Sequence, residues 1–171
     1  MNKITKLYKG LWHIEEFLPV DLWNEIAEQI RGLPESDYKN RHEPMRVRLE
    51  ILNPTNDFYL RLVNLAIGTV PLVSKTTSNY SLRNPPGLFL WRDFENYKSH
   101  WHPDDFTRSP TAQIYVDGDE DQGTSFQLEN EEITLPLKPN TGYLLDNKYQ
   151  LIHGMMQPVR KKIRQSIYLI Y

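Results

Sequence analysis

Three residues in the C-terminal half of the chain have the types and spacing of a metal site. His102 and Asp104 are two positions apart, so on an extended strand their side chains would point to the same side. His153 follows 51 residues later and would bring a second imidazole from a distant strand. Two imidazoles and one carboxylate around one point leave half of an octahedron open, an arrangement that suits non-haem Fe(II).

Arg164 and Ser166 follow the second histidine on one predicted strand. Arg164 comes 11 residues after His153, and Ser166 lies two residues further on the same face of a predicted strand. The planar guanidinium of an arginine can hold a carboxylate through two parallel charge-assisted hydrogen bonds. Tyr168 and Ile170 continue this face and predict a pocket floor that is otherwise largely apolar. The charge of Arg164 would then be only partly satisfied until a carboxylate arrives.

The order of these residues resembles the Fe(II)- and 2-oxoglutarate-dependent dioxygenases, which carry His-x-Asp, a distal His and then Arg-x-Ser. The resemblance covers residues 87–171 closely and extends loosely to the N-terminus. Residues 122–126, Gln-Gly-Thr-Ser-Phe, resemble the Gly-Gly-Thr-x-Phe turn and strand of the prolyl-4-hydroxylase-like branch, with glutamine in place of the first glycine. Residues 153–159 resemble that branch's His-Gly-Val-x-Pro-Val run, with Met155 in place of valine and one additional residue before the proline.

The resemblance implies a role for each of these residues. The three candidate ligands would bind Fe(II) and form the catalytic centre, and 2-oxoglutarate and O₂ would take the three open positions. Arg164 would hold the distal carboxylate of 2-oxoglutarate, with Ser166 and Tyr115 contributing hydroxyl groups. The chain is thereby expected to be an enzyme, a hydroxylase that oxidises an unactivated C–H bond and forms succinate and CO₂ as co-products.

Some of these residues also fit other interpretations. Tyr115 fits a core tyrosine, and Arg164 fits a solvated charge next to the basic turn at 160–162. The pair His100-x-His102 is also found in cupins, which share a jelly-roll fold, but cupins carry a glutamate shortly after the second histidine and this chain does not. We therefore expect that His100 is not a metal ligand. The alternative function is a catalytically silent jelly-roll binding module, or a virion-associated module, that retains the metal site.

Composition narrows the classes of partner. The 171 residues carry a formal net charge of −2, so no excess of positive charge favours nucleic acid or an anionic membrane. The nucleic-acid demethylase branch of the family carries a second arginine six residues after the co-substrate arginine, where this chain has Ile170. The absence of cysteine excludes disulfides, thiolate metal sites and cysteine nucleophiles. We expect a soluble, cytoplasmic protein that acts on a small molecule or a protein side chain.

The periodicity of apolar residues predicts the elements that must position the site. The first part of the chain is predicted to contain a strand at 11–18, a helix at 19–31, a loop at 33–45, a strand at 46–52, a helix from 53 to Pro71 and an irregular connection at 73–86. From residue 87 the period changes to two. The strands predicted there are 88–92, 97–102, 111–116, 124–128, 132–135, 142–146, 152–155 and 163–171.

The fold class that follows is mainly β with N-terminal helices. The resemblance specifies a double-stranded β-helix, or jelly roll. A single oxygenase domain at 1–171 would consist of a helical brace at about 1–86 and a jelly-roll core at about 87–171. The loops 33–45 and 103–111 are expected to border the mouth of the pocket.

Overall fold

The computed structural model describes residues 3–52, 54, 56–77, 82–83, 85–104, 109–160 and 163–171, with the side chains of residues 40–42 excepted. The described residues form eleven β-strands and two α-helices. In chain order these are β1 (Lys3–Tyr8), β2 (Leu11–Glu15), α1 (Val20–Gly32), β3 (Asn40–Glu43), β4 (Arg46–Glu50), α2 (Asp57–Thr76), β5 (Gly87–Asp93), β6 (Thr111–Asp117), β7 (Thr124–Gln127), β8 (Glu132–Leu135), β9 (Gly142–Leu145), β10 (Ile152–Gly154) and β11 (Arg164–Ile170). Short 3₁₀ helices lie at Glu35–Asp37, Glu120–Gln122 and Asn147–Tyr149.

The strands form two antiparallel sheets. The main sheet has eight strands in the order β1-β2-β9-β6-β11-β5-β4-β3, and the smaller sheet has three in the order β10-β7-β8. The last strand, β11, therefore lies in the middle of the main sheet between β6 and β5. The predicted mainly β, antiparallel architecture is confirmed.

Alternation along the strands gives the main sheet two different faces. One face packs against α1 and α2 through an apolar core that includes Leu90 on β5 and Ile167 on β11. The opposite face carries Tyr115 on β6 and Tyr143 on β9, which pack with Phe126 of the smaller sheet. The helices thus brace one side of the main sheet, and the smaller sheet covers part of the other side.

Both helices turn a predicted apolar stripe towards the core. The buried residues of α1 are Trp23, Ile26, Ala27 and Ile30, and those of α2 are Leu62, Ala66, Thr69 and Val73. The side chain of Asn56 caps α2 by accepting a hydrogen bond from the backbone N–H of Tyr59 at 2.9 Å. Within the described ranges, no helix combines the length and the apolar character that a bilayer crossing requires.

The prediction that Pro71 ends the second helix is wrong, because α2 continues to Thr76. A proline inside a helix removes one hydrogen bond, since it has no N–H to donate. Beyond the proline, Val73 is buried in the core. The hydroxyls of Thr76 and Thr77 donate to the carbonyls of Leu72 and Val73 at 2.8 and 2.9 Å. These interactions offset the missing bond and hold the last turn of the helix.

The part of the chain before β5 supplies strands as well as helices. β1 was not predicted, and the loop predicted at 33–45 contains a 3₁₀ helix and β3. β1 pairs with β2, and β3 pairs with β4. This region therefore contributes four of the eight strands of the main sheet in addition to the two helices. The assignment of the whole chain to one oxygenase domain remains a prediction.

The segment 97–102 was predicted as a strand but forms no ladder. The carbonyls of Tyr97 and Ser99 accept single hydrogen bonds from Val159 and Met155. His102 forms an isolated antiparallel bridge in which its N–H and that of His153 each donate to the other's carbonyl, at 3.0 and 2.9 Å. The next residue, Pro103, has no N–H with which to extend a ladder. The bridge nevertheless brings two of the three candidate metal ligands side by side.

Candidate metal and co-substrate site

A cavity of about 280 Å³ lies on the face of the main sheet opposite the helices. Its wall is built by side chains from β4, β5, β6, β9 and β11 of the main sheet, β7 and β10 of the smaller sheet, and the segment 99–104. Because successive side chains of a strand point to opposite faces of the sheet, alternate residues of each strand reach the cavity. On β4 these are Arg46 and Arg48, on β5 Phe89 and Trp91, and on β11 Arg164, Tyr168 and Ile170.

The three candidate metal ligands come together on the wall of this cavity. One potential ligand atom from each of His102, Asp104 and His153 lies within 4.8 Å of the others. The Nε2 atom of His153 is 3.6 Å from Oδ1 of Asp104, and the two imidazole centroids are 4.7 Å apart. These separations allow three donors to surround one metal ion.

Backbone carbonyls orient both imidazoles. Nδ1 of His102 is 2.7 Å from the carbonyl oxygen of His100, and Nδ1 of His153 is 3.1 Å from that of Leu151. A carbonyl can only accept, so each Nδ1 must carry the proton, which leaves the lone pair of each Nε2 for a metal. Burial lowers the pKa of His153, although the carboxylate of Asp104 acts in the opposite direction. The neutral imidazole is the form that binds a metal.

The carboxylate of Asp104 is oriented by two hydroxyl groups. Thr111 Oγ1 and the Tyr168 hydroxyl both donate to Oδ2, at 2.8 and 3.0 Å. Oδ1, the oxygen nearer His153, is thereby left to a metal. The donor set is two neutral imidazoles and one carboxylate, which fits the 2-His-1-carboxylate pattern of non-haem Fe(II).

The imidazole of His100 takes no part in this cluster. His100 is exposed, and its contribution is the backbone carbonyl that accepts from His102. Gly154 makes room for this carbonyl, because a Cβ at that position would lie 3.0 Å from the oxygen. Among the described residues, the candidate metal cluster consists of His102, Asp104 and His153, and the exclusion of His100 as a ligand remains a prediction.

Arg164 is buried on the wall of the same cavity, but it already has a partner. Its Nη1 donates to Oδ2 of Asp93 at 2.7 Å, and its Nε donates to the carbonyl of Gln122 at 3.1 Å. Arg46 donates to the same carboxylate through Nε at 2.6 Å and Nη2 at 3.1 Å. The three side chains form a row across the sheet, Arg46–Asp93–Arg164. The sheet register explains this row, because Asp93 on β5 is paired with Arg164 on β11 and with Arg46 on β4.

The row Arg46–Asp93–Arg164 corrects the expectation of an otherwise apolar pocket floor. The side chains of Arg164 and Asp93 are 2% and 1% exposed, so the pair is removed from water. Burial alone would raise the pKa of Asp93, but the two guanidiniums hold it below its usual value, and the carboxylate is charged. Two cations share one anion, which leaves one positive charge unmatched. Asp93 directly follows the strand predicted at 88–92, but nothing local indicated its partners.

Ser166 and Tyr115 lie behind the cavity wall. The hydroxyl of Ser166 accepts from Nε2 of Gln113 at 2.8 Å. The hydroxyl of Tyr115 donates to Oγ1 of Thr124 at 2.7 Å, and the Tyr115 ring packs under Arg164, with 5.5 Å between the guanidinium carbon and the ring centroid. Gln113, Thr124 and Tyr143 stand on the wall itself, and sequence reasoning missed all three as site residues.

Comparison with known proteins gives similarity in structure only. No family model and no curated protein matches the chain. A prolyl hydroxylase from Trichoplax adhaerens, in complex with a hypoxia inducible factor peptide fragment, superposes with a TM-score of 0.76 at 15% identity, covering 95% of this chain and 83% of that one. For a Pseudomonas putida prolyl-4-hydroxylase the TM-score is 0.73 at 16% identity, with 94% and 91% covered. For HygX from Streptomyces hygroscopicus, with nickel and 2-oxoglutarate bound, it is 0.71 at 12% identity, with 94% and 81% covered.

The chain has the fold of the 2-oxoglutarate-dependent oxygenases. The fold predicted from the family resemblance is therefore confirmed, and the structures that share it include prolyl hydroxylases. At these identities the likeness concerns the fold, and the interpretation of individual residues rests on the geometry of the cavity.

Proposed function

We propose that the chain is an Fe(II)- and 2-oxoglutarate-dependent dioxygenase that hydroxylates an unactivated C–H bond. One observation carries the proposal: a single cavity contains three converging metal-ligand candidates and the row Arg46–Asp93–Arg164, in which two cations share one buried anion and one positive charge is left over. The first feature suits Fe(II), and the second suits a dicarboxylic acid. The shared fold supports the proposal, since HygX has that fold and was solved with nickel and 2-oxoglutarate bound.

The iron would be held by Nε2 of His102, a carboxylate oxygen of Asp104 and Nε2 of His153. Bound Fe(II) would supply the oxidative chemistry with O₂ and 2-oxoglutarate. The role of the surrounding protein is orientation. The carbonyls of His100 and Leu151 orient the two imidazoles as neutral metal ligands. The hydroxyls of Thr111 and Tyr168, which donate to Oδ2 of Asp104, orient the carboxylate.

Arg164 would bind the distal carboxylate of 2-oxoglutarate together with Thr124. Two of the three guanidinium nitrogens of Arg164 already donate to Asp93 and Gln122, and Nη2 makes only a long contact of 3.5 Å to Thr124 Oγ1. That oxygen also accepts from the hydroxyl of Tyr115, so the Thr124 proton can be donated into the cavity. A carboxylate would therefore accept from Nη2 and from the Thr124 hydroxyl. Tyr115 would act by positioning Thr124.

Ser166 would act in a similar, indirect way. Its hydroxyl accepts from the amide of Gln113, and the hydroxyl of Tyr143 donates to the other end of the same amide at 2.6 Å. These two bonds hold Gln113 on the cavity wall in one orientation. We propose that Ser166 keeps this wall in place beside the co-substrate.

The overall reaction would consume one C–H bond, 2-oxoglutarate and O₂. One oxygen atom would enter the new alcohol and the other the carboxylate of succinate, with CO₂ released. The substrate would be a small molecule or a protein side chain. Structures of this fold include both kinds of complex, with hygromycin B in HygX and a peptide in the Trichoplax prolyl hydroxylase.

Anaerobic reconstitution tests the proposal. The protein is loaded with Fe(II) and titrated with 2-oxoglutarate, and binding is followed through the metal-to-ligand charge-transfer absorption. O₂ is then admitted with ascorbate as reductant, and succinate is measured by mass spectrometry. We expect one iron per chain, saturable 2-oxoglutarate binding and succinate formation. Binding of both without succinate would favour the catalytically silent module, and failure to bind either would overturn the proposal.

A further inference from the structure

Arg48 lies on the wall of the same cavity as Arg164 and makes no hydrogen bond or ion pair with the residues that the structure describes. It is half-buried on β4, two residues after Arg46, and so reaches the same face of the sheet. Its guanidinium carbon is 5.1 Å from the ring centroid of Phe89 and 5.6 Å from that of Trp91. Its Nε is shielded from solvent without a hydrogen bond to any described residue. A buried donor left without an acceptor is destabilising, because its hydrogen bond to water is lost and not replaced.

The other two arginines of the cavity, unlike Arg48, form ion pairs. Arg46 and Arg164 both donate to Asp93, and Arg46 also lies over the rings of Trp91 and Tyr97, at 4.6 and 4.2 Å. Among the residues that the structure describes, no carboxylate forms an ion pair with Arg48. The aromatic rings hold the Arg48 guanidinium in place and leave its donors to a molecule that enters the cavity.

The position of Arg48 separates it from the proposed co-substrate anchor. Arg48 is on β4 and Arg164 on β11, with β5 between them. Neighbouring strands are about 4.8 Å apart, so the two backbones are separated by about 10 Å. Arg48 also lies two residues further along the sheet, because its register partner is Trp91 and not Asp93. A carboxylate bound by Arg164 and Thr124 would therefore leave Arg48 available for a second anion.

The charges of the cavity indicate what that anion is. Three arginines, Arg46, Arg48 and Arg164, face two carboxylates, Asp93 and Asp104, which leaves one positive charge in excess. Fe(II) and the doubly charged 2-oxoglutarate would cancel each other and leave this excess unchanged. A carboxylate carries one negative charge and would balance it, whereas a phosphate carries about −1.5 to −2 and would exceed it.

The geometry points to a substrate that carries a carboxylate group, bound by Arg48 on the aromatic platform of Phe89 and Trp91. This inference rests on the proposed function, because it assigns Arg48 to the molecule that is hydroxylated. The planar fork of Arg48 would hold the carboxylate, and the rings would pack against the adjoining apolar part of the substrate. The cavity of about 280 Å³ lies near the lower limit of ligand sites, so the group that enters beside the co-substrate must be small.

Matched pairs of acids and amides test the inference. The protein is loaded with Mn(II) and 2-oxoglutarate, which prevents turnover, and is titrated by calorimetry. One arm uses small carboxylic acids and their primary amides. The other uses short peptides containing glutamate and the same peptides containing glutamine. We expect at least one acid to bind about tenfold or more tightly than its amide, as a charge-assisted hydrogen bond would give. The arm in which this preference occurs identifies the source of the carboxylate.

The variants Arg48→Gln and Arg48→Met should abolish this preference, and Arg48→Lys should retain part of it. Methionine keeps an unbranched stem on the aromatic rings, so it serves if the glutamine variant does not fold. Arg31→Gln is the matched control, since Arg31 is an exposed arginine at the end of α1 that does not line the cavity. The affinity for 2-oxoglutarate should be unchanged in all four variants.

Three outcomes would overturn the inference. These are equal binding of acids and amides by the unmodified protein, an undiminished preference in Arg48→Gln, and a loss of 2-oxoglutarate affinity in Arg48→Gln. The third outcome would place Arg48 in the co-substrate site and leave the proposed function standing. Failure of the unmodified protein to bind 2-oxoglutarate would instead overturn the proposed function itself.

Discussion

The two faces of the main sheet are built from the same strands and differ in what they bury. Along β11, Ile167 and Leu169 turn towards the helices and pack in the apolar core, whereas Arg164 and Tyr168 turn towards the cavity. Apolar burial stabilises the fold by about 25 cal/mol per Å². Burying an unpaired charge destabilises the fold. Asp93 reduces this cost for Arg164 by forming an ion pair with it. The helix-covered face therefore stabilises the fold, whereas the cavity face holds polar groups in position at some cost in stability.

This division predicts that substitutions on the two faces have separable effects. Changes on the cavity face should alter metal and co-substrate binding with little loss of stability, and changes on the helix-covered face should do the reverse.

The largest expected effect is the loss of metal from Asp104→Ala. Asp104 is the only carboxylate among the three candidate ligands, and orienting partners of metal ligands alone are worth about 10–100-fold in affinity. We expect metal affinity to fall by more than about 100-fold while the thermal unfolding temperature of the metal-free protein changes little. Metal analysis after loading with Fe(II) or Mn(II) measures this. Unchanged occupancy would rule out the assigned site.

The second prediction tests the helix-covered face with Leu90→Ala. Leu90 is fully buried on β5, between two residues, Phe89 and Trp91, that line the cavity on the other side. Removing a buried leucine side chain costs about 2–5 kcal/mol of unfolding free energy. Denaturant unfolding measures this loss, and the metal affinity of the folded protein should stay within about threefold of the original. A large loss of metal binding with unchanged stability would show that the two faces are not separable.

The third prediction concerns Arg164→Leu. We expect iron binding to remain and 2-oxoglutarate binding to weaken by about 2–5 kcal/mol, the usual effect of removing one partner of a buried charge pair. Asp93 would keep its two bonds to Arg46, so no buried carboxylate is left unpaired. Arg164→Lys should recover part of the affinity because it restores the charge but not the fork. Anaerobic titration of 2-oxoglutarate into the Fe(II) form measures both variants. Equal binding by Arg164→Leu would mean that another residue anchors the co-substrate.

A smaller effect is expected from Tyr168→Phe. This change removes one of the two hydrogen bonds that orient the carboxylate of Asp104. Metal affinity should fall by about 10-fold, at the lower end of the range for such partners. Tyr143→Phe is the matched control, because its hydroxyl lies on the same cavity wall and donates to Gln113 instead. Calorimetry with Mn(II) compares the two, and equal losses would contradict a specific role for Tyr168.

The smallest effect on metal affinity is expected from His100→Ala, and comparison with His102→Ala distinguishes the two histidines. His100→Ala should leave metal affinity unchanged, because His100 contributes a backbone carbonyl that alanine also has. His102→Ala should abolish most of it. The opposite result, with metal lost in His100→Ala and kept in His102→Ala, would replace His102 by His100 in the cluster.

Local pattern was enough to predict most of the helices and strands and to propose three candidate metal ligands, whereas the jelly-roll topology was expected from the family resemblance. The period of two located the strands from β6 to β11, and the helical period located α1 and the body of α2, which begins at Asp57 and not at residue 53. His102 and Asp104 lie on one side of the chain as predicted, although an isolated bridge and not a strand holds them there. In contrast, the prediction that α2 ends at Pro71 is wrong. The helix continues because Val73 is buried against residues that are distant in the sequence.

The sequence by itself determined which three residues have the types and spacing of a metal site, and the family resemblance added Arg164 as the candidate for binding an organic acid. Only the tertiary structure decided how the charges of the cavity are paired. Asp93 is 71 residues from Arg164 and 47 from Arg46, and it meets both because β5 lies between β11 and β4 in one register. Arg48 is two residues further along β4, opposite Trp91, and meets no carboxylate among the described residues. The physical reason is that strand order and register are properties of the whole sheet, so the partner of a charged side chain cannot be read from its neighbours in the chain.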